Sequence, residues 1–333
     1  MPPCYALLLL LGQVPATDAA LAAAAAVEPA RLVRAITALQ SVPGQSRVTG
    51  TPGAEAGREV VRAALAELGL TPERMPFAAH NKFAPPGREA TRGVNLRVRL
   101  GPAEGPGRVY VAHLDTKAAE DAAHAAEVGW RWDEDPAPGA DDDGSGAAAL
   151  LELARRLAPL APCLARPVDL VWSDAEELAQ VAPDGFMFAY GGEALAEMVP
   201  TEAALAVDML LRARPYGYVL RLYTDGRWAS DLLMQDILLA GAAVAPEVLL
   251  DPRVEPAFTW SDHGAFWAQG VGGVLLIEDD FHHPRYHREA DAFDPADPYY
   301  DVGQVTAATR LLVAAAVLGA GVNPGCGAAA PPR

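Results

Sequence analysis

Residues 138–146 read PGADDDGSG and run without a break into AAALLELARRL at 147–157. Three consecutive acids at one turn repel one another, and a helix-forming run follows at once. Aspartate is favoured at a helix N-terminus, where its carboxylate meets free N–H groups and the positive end of the helix dipole. One Asp meets that need. Three of them raise the question of what balances the remaining charge. A calcium loop does not answer it, because the oxygen spacing and closing Glu of an EF-hand are missing. One chemical reading is a carboxylate that bridges two metal ions, with its neighbours capping the helix and holding the loop. A solvated acidic turn is the plain alternative.

Around this turn the chain alternates strand and helix. Residues 28–42 and 53–69 carry apolar positions every three or four residues, the period of an amphipathic helix. Residues 96–100 and 109–112 read as strands separated by the turn GPAEGPGR. Residues 117–139 form a long acidic loop with Trp130 and Trp132, either a roof over a cleft or a solvated segment. A helix follows at 146–157, then strands at 167–173, 203–209, 218–224 and 270–278, with helices at 228–240 and 304–318. This order predicts a single α/β domain. Its central sheet is mixed but mostly parallel, with helices on both faces.

In such a sheet, ligands bind outside the carboxyl ends of the strands. Each predicted strand delivers a metal-competent residue there. His113 and Asp115 follow 109–112 as H-x-D, and a histidine ligand commonly has its second nitrogen held by a carboxylate. Glu176 and Glu177 follow 167–173; adjacent carboxylates point apart, so one can bind metal while the other moves a proton. Asp208 closes an apolar strand, and a buried acid needs a partner or a metal. His287 follows 270–278 with Asp291 as a possible orienting partner and His282 and His283 as competitors. Taken singly, each is as readily a core histidine, a surface loop or a helix-start acid. Their convergence on one sheet edge is the argument for a metal site.

Composition narrows the partners. With 43 acids against 26 bases the formal charge is −17, which disfavours nucleic acid and anionic membrane surfaces. The three cysteines, Cys4, Cys163 and Cys326, form no C-x-x-C pair, which excludes a cysteine zinc site and a disulfide framework. Any metal ligands are therefore histidines and carboxylates. Residues 5–11 form a short apolar run followed by small residues, like an export signal without its basic start. The run is too short to span a bilayer, and no other segment reads as a membrane span. Residues 1–26 are expected to be a signal peptide or a disordered extension, 27–320 the domain, and 321–333 a disordered tail. The location expected is secreted or periplasmic, otherwise cytoplasmic.

The words AHLD, PGADDDGSG, DAEE, VDM, SDHGAFWAQG and PRYHREAD, over about residues 108–295, together resemble the family 28 metallopeptidases. The likeness is to the bacterial leucyl aminopeptidase-like enzymes with two zinc ions. The resemblance implies a zinc peptidase of the aminopeptidase fold type acting on peptides with a free N-terminus. It implies Asp142 as the bridge between two Zn2+, His113 and Asp208 on one ion, and Glu177 and His287 on the other. Glu176 would be the general base, Asp115 would orient His113, and the Asp142–Asp143 peptide would be cis. The side-chain pocket would draw on Ile277 and Phe281, with Phe258 where some members hold a tyrosine. There are departures. The loop after His113 is long, the stretch after the Glu pair lacks the usual glycine–serine pattern, and the cysteine bridge of some relatives is missing. The rival readings are a single-zinc acyltransferase like the glutaminyl cyclases, a carboxypeptidase of the same architecture, and a non-catalytic binding module.

Overall fold

The computed structural model describes residues 14–181 and 187–323. In chain order, α1 (Val14–Ala25), α2 (Pro29–Gln40) and α3 (Pro52–Ala66) precede a hairpin of β1 (Glu73–His80) and β2 (Ala90–Leu100). Then come β3 (Gly107–His113), α4 (Ala122–Val128), α5 (Gly144–Leu157) and β4 (Val168–Ser173). A small ribbon of β5 (Gln180–Val181) and β6 (Met187–Phe188) leads to α6 (Tyr190–Met198) and β7 (Thr201–Asp208). The order ends with β8 (Tyr218–Thr224), α7 (Trp228–Val244), β9 (Val248–Val254), α8 (His263–Ala268), β10 (Gly272–Glu278) and α9 (Val302–Ala320).

Eight strands form one mixed sheet in the order β1-β2-β4-β3-β7-β10-β8-β9. The central four, β4, β3, β7 and β10, are mutually parallel, and β1, β2 and β8 join antiparallel to their inward neighbours. Every residue of β4 and β10 is buried, as expected of strands covered on both faces. Side chains alternate between two cores. Tyr110 and Ala112 of β3 point into the larger core with α2, α5, α7 and α9, while Val109 and Val111 meet Leu195 of α6 and Phe266 of α8 on the other face.

The helices follow from local signals. Pro29 begins α2, whose Leu32, Ile36 and Leu39 form the buried stripe. Thr51 caps α3 by accepting from the Ala54 N–H. Asp143 caps α5 by accepting from the Gly146 N–H at 2.9 Å. Against the expectation that no segment reads as a membrane span, α9 is by length and composition apolar enough to cross one, but it is mostly buried against α1, α5 and α7.

Eight elements were not anticipated: α1, β1, α4, the two-residue strands β5 and β6, α6, α8 and β9. The strands β1 and β9 contain Pro76 and Pro252, which read as breaks. Both lie at the sheet edges, where a proline costs no ladder bond. The helices α4, α6 and α8 span 7, 9 and 6 residues, too short for a helical period to stand out. The predicted strands at 96–100 and 109–112 are consecutive in sequence but not neighbours, because β4 inserts between them. The acidic loop is not simply solvated. Trp130 packs with Val48, Ala118, Ala119, Ala125 and Ala137 in a core of its own, and its indole N–H donates to Pro136 O at 3.1 Å.

Residues 14–25, expected within a signal or extension, form α1 and bury Ala20 and Ala24. The apolar run at 5–11 and the tail from 324 onward lie outside the described residues. Cys163 is disulfide-bonded, so the cysteines, from which no disulfide framework was expected, supply one bridge.

Candidate metal centre

The parallel register aligns the strand ends. His113 ends β3 opposite Ser173 at the end of β4, and Asp208 ends β7 opposite Ile277 of β10. The carboxyl edge of the sheet therefore collects His113, the Asp174–Glu177 turn, Asp208 and the segment after β10. Two groups of metal-competent side chains form there, both fully buried: His113, Asp142 and Asp208, and Asp142, Glu177 and His287. Asp142 belongs to both.

The two aspartates beside Asp142 are structural. Asp143 accepts from the backbone N–H groups of Gly146, Met209 and His113, at 2.9, 3.2 and 3.2 Å. Asp141 accepts from the Leu211 N–H at 2.8 Å and lies 3.2 Å from His283 Nε2. Only Asp142 turns its carboxylate to the cavity, and the Asp142–Asp143 peptide is cis. Gly139 lets the loop close with φ of 51°; a Cβ there would meet Thr116 Cγ2 at 2.2 Å. Arg47, fully buried, ties the loop down by donating to Leu114 O, Pro138 O and Gly139 O at 2.7–2.8 Å. Burial pulls its pKa down to about 10 against the opposing pull of Asp291, Asp143, Asp115 and Asp142.

Each histidine is oriented by its Nδ1. That of His113 lies 3.0 Å from the Asp115 backbone carbonyl, which can only accept, so Nδ1 carries a proton and Nε2 is the atom turned to the centre. The Asp115 carboxylate stands farther off, at 3.7 Å from the ring. It accepts instead from the N–H groups of Glu176 and Glu177, both at 3.1 Å, and so aims the Glu pair. His287 Nδ1 meets Glu120 at 2.7 Å, again leaving Nε2 to the centre. Asp291, the anticipated partner of His287, instead accepts from the N–H groups of Asp141 and Asp142 at 3.0 and 3.1 Å and from the Tyr300 hydroxyl at 2.7 Å.

These Nε2 atoms face carboxylate oxygens. His113 Nε2 is 3.0 Å from Asp142 Oδ1 and 3.7 Å from Asp208 Oδ1. His287 Nε2 is 3.1 Å from Asp142 Oδ2 and 3.4 Å from Glu177 Oε2. Such oxygens and nitrogens repel unless a positive charge sits among them, a ring proton or a metal ion; with no metal, the surrounding carboxylates outweigh burial and hold His113 well above its ordinary value and His287 up to about 10. Bonds of about 2.0–2.2 Å to a tetrahedral zinc put neighbouring ligands about 3.4 Å apart, which these spacings match. Buried oxygens of Asp208 and Glu177 have no hydrogen-bond partner, so both still have acceptor capacity to offer. The residues fit a divalent ion in each group. Asp141, Glu278 and His283 form a third buried cluster. There His283 Nδ1 accepts from the Arg285 N–H at 3.1 Å, so Nε2 carries the proton and is no ligand.

Without a cation the charges strain one another. Burial raises the Glu176 carboxyl well above its ordinary value; His113 opposes, while Glu177, Asp208 and Asp262 raise it further. Asp115 is pushed up to about 8, chiefly by burial. Lys117 stands 2.9 Å from Glu177 Oε2. Ala175, Met209 and His287 adopt positive φ of 59°, 46° and 50°. Left-handed backbone in non-glycine residues is costly and gathers at functional sites.

Glu176 borders a cavity of about 770 Å³ that opens over both groups, its Oε2 4.0 Å from His113 Nε2. Ile277, Phe281 and Phe258 line the cavity, joined by Met187, Trp260 and Tyr286, for which the sequence carried no signal. Phe258 stacks on Tyr223 with ring centroids 4.0 Å apart, and its carbonyl accepts from His263 Nε2 at 2.7 Å. The SDH word is thus structural, and Asp262 likewise accepts from the Ser173 hydroxyl at 2.5 Å. Glu120, Arg47, Lys82 and Lys117 carried no signal, because single charges in loops have no diagnostic spacing.

Comparison with known proteins bears on the fold and the family. The Escherichia coli (strain K12) uncharacterized protein YfbL is 26% identical over 234 residues, 63% of this chain and 67% of that one. The fold is shared with the Legionella pneumophila LapA aminopeptidase (TM-score 0.66, 20% identity, 91% of this chain and 75% of that). It is shared also with the Fimbriiglobus ruber glutaminyl cyclase (0.69, 22%, 88% and 96%) and with a Zn-dependent exopeptidase from Parabacteroides distasonis (0.63, 18%, 86% and 97%). The sequence profile described as Peptidase family M28 matches residues 95–309, more than half of the chain, which therefore belongs to peptidase family M28.

Proposed function

We propose that the chain is a zinc-dependent exopeptidase that removes N-terminal residues from peptides, with two ions at the centre and Glu176 as general base. The observation that carries this reading is Asp142, whose Oδ1 and Oδ2 stand 3.0 and 3.1 Å from the Nε2 atoms of His113 and His287. A carboxylate aimed both ways between two oriented histidines is what a bridging ligand requires. His113 and Asp208 would complete one shell, and Glu177 and His287 the other. The aminopeptidase and zinc exopeptidase among the structural neighbours support the reading.

Bound there, the ions would polarise the scissile carbonyl and make water nucleophilic at neutral pH. The rest falls to the protein. Asp115 fixes the Glu176 backbone, so the carboxylate faces the cavity beside His113. Buried among acids, Glu176 binds a proton tightly enough to take it from the attacking water and return it to the leaving amine. The acidic shell of Asp208 and Glu177 suits a substrate α-ammonium, and the wall of Ile277, Phe258 and Phe281 suits an apolar first side chain. The Cys163 disulfide favours an oxidising compartment, in line with a secreted or periplasmic enzyme.

One observation favours a second reading with a single ion, as in a glutaminyl cyclase-like acyltransferase. The Lys117 ammonium on Glu177 occupies charge that a second ion would use. Zinc titrated into the apoprotein, with metal content and release of N-terminal residues followed together, tests the first reading. Two equivalents with activity dependent on both are expected. Saturation at one equivalent, or no peptide hydrolysis at any loading, contradicts it.

A further inference from the structure

Lys82 lies on the loop joining β1 to β2 and borders the same cavity as Glu176 and Glu177. The loop is held in place. The Asn81 N–H donates to Glu89 O at 2.7 Å, and Asn81 Oδ1 accepts from the Phe83 N–H at 2.9 Å. Phe83 meets Trp130 edge-on at 5.2 Å, so the loop rests on the packed segment after β3. Lys82 Nζ reaches the Ala179 carbonyl at 3.5 Å and lies 5.4 Å from the Phe83 ring, and among the described residues no carboxylate pairs with it. The neighbouring cations are paired. Lys117 holds Glu177 at 2.9 Å, Arg288 lies 3.7 Å from Glu120, and Arg285 lies 2.6 Å from Asp297. Burial, then Lys117, pulls the Lys82 pKa down to about 8, while Glu177, Glu176 and Glu120, none of them paired with it, oppose the shift. A half-buried ammonium with no counter-ion is unfavourable until an anion arrives. The acids of the centre belong to the ligand groups and the base, so that anion comes with the substrate.

We propose that Lys82 binds a carboxylate of the peptide substrate and so tunes the cleft to short peptides with a free C-terminus or an acidic second residue. This rests on the N-terminal exopeptidase reading. With the α-amine at the acidic centre, the second residue of a dipeptide extends only about 3.5 Å further, inside the cavity that Lys82 lines together with Glu176, Glu177 and Asp208. The C-terminal carboxylate and an acidic side chain offer the same chemistry, and the substrates below separate them.

The test compares zinc-loaded wild type, K82M and K82R on X-Gly dipeptides with X varied, on the same dipeptides as C-terminal amides, and on X-Glu amides. In the wild type the free acids are expected to exceed the amides at least tenfold in kcat/KM, carried in KM. K82M brings that ratio towards one, and K82R restores it. X-Glu amides performing like the free acids would assign the side-chain carboxylate, and free acids alone the C-terminus. A wild-type ratio near one, a ratio unchanged in K82M, or an equal fall in kcat for acids and amides overturns the proposal. Calorimetric binding of the same acids and amides to E176Q, with and without K82M, reads the preference without turnover. A protein that binds acids through Lys82 yet releases no N-terminal residue refutes the exopeptidase reading and keeps only the carboxylate site at Lys82. Equal binding of acids and amides refutes this one.

Discussion

At the scale of single residues, the centre is a division of labour among acids that look alike in sequence. Asp141 and Asp143 spend their oxygens on backbone N–H groups, and Asp142 keeps both of its own for the cavity. The adjacent Glu176 and Glu177 divide likewise, the first beside His113 and the second beside His287. Glu176→Gln keeps the shape and removes the base. Its kcat is expected to fall by about 10²–10⁴-fold with zinc content unchanged, measured by peptide turnover and elemental analysis in parallel. Retained turnover would move the base elsewhere. The candidate ligands were legible because each ends a strand or opens a turn in a fixed order. The groups that orient them were not. Glu120 on His287 and Arg47 beneath the Asp turn act across 167 and about 90 residues of chain, a separation that leaves no local pattern.

At the scale of elements, the turn from Gly139 into α5 does most of the positioning. It needs a left-handed glycine and a close approach to Thr116. Gly139→Ala puts a methyl group into that contact with unfavourable φ, and a loss of about 2–3 kcal/mol in denaturant stability is expected, with weaker zinc retention. A variant as stable as the wild type would show the turn to be adaptable. The long buried elements, α2, α5, β4, β7, β10 and α9, were readable from their apolar patterning. The edge strands β1 and β9 were not, because edges tolerate the prolines that elsewhere exclude a strand. Nor was the packing of the acidic loop, since small alanines around Trp130 make a core without a periodic signature.

At the scale of the whole molecule, stability depends on ionisable groups buried away from the centre as well as within it. Burial holds His263 neutral with its pKa down to about 4, the Phe258 carbonyl opposing. Between about pH 4 and the ordinary 6.5, the unfolded chain protonates this ring and the folded chain does not, so stability falls as the pH falls through that window. Asp262, pushed up to about 6 mainly by burial, works in the opposite sense between its ordinary 3.8 and 6, because there the folded state holds the extra proton. Comparing His263→Gln with the wild type isolates the histidine. From pH 7 to 4.5 the wild type is expected to lose about 2–3 kcal/mol more than the variant, at about 1.4 kcal/mol per unit, by urea titration at each pH. Equal losses would mean that the ring titrates freely in the folded state.

The mostly parallel sheet, its helical cover on both faces and the edge that carries the centre followed from the alternation of elements. The strand order did not, because local pattern does not say that β4 inserts between β2 and β3.

The most direct measurement is mass spectrometry of a mixed peptide set incubated with the zinc-loaded protein, half of the peptides N-acetylated, with and without a chelator. The account predicts stepwise release of residues from free N-termini only, stopped by the chelator. Peptides beginning with Gln that lose only ammonia, or acetylated peptides trimmed as fast as free ones, would contradict it.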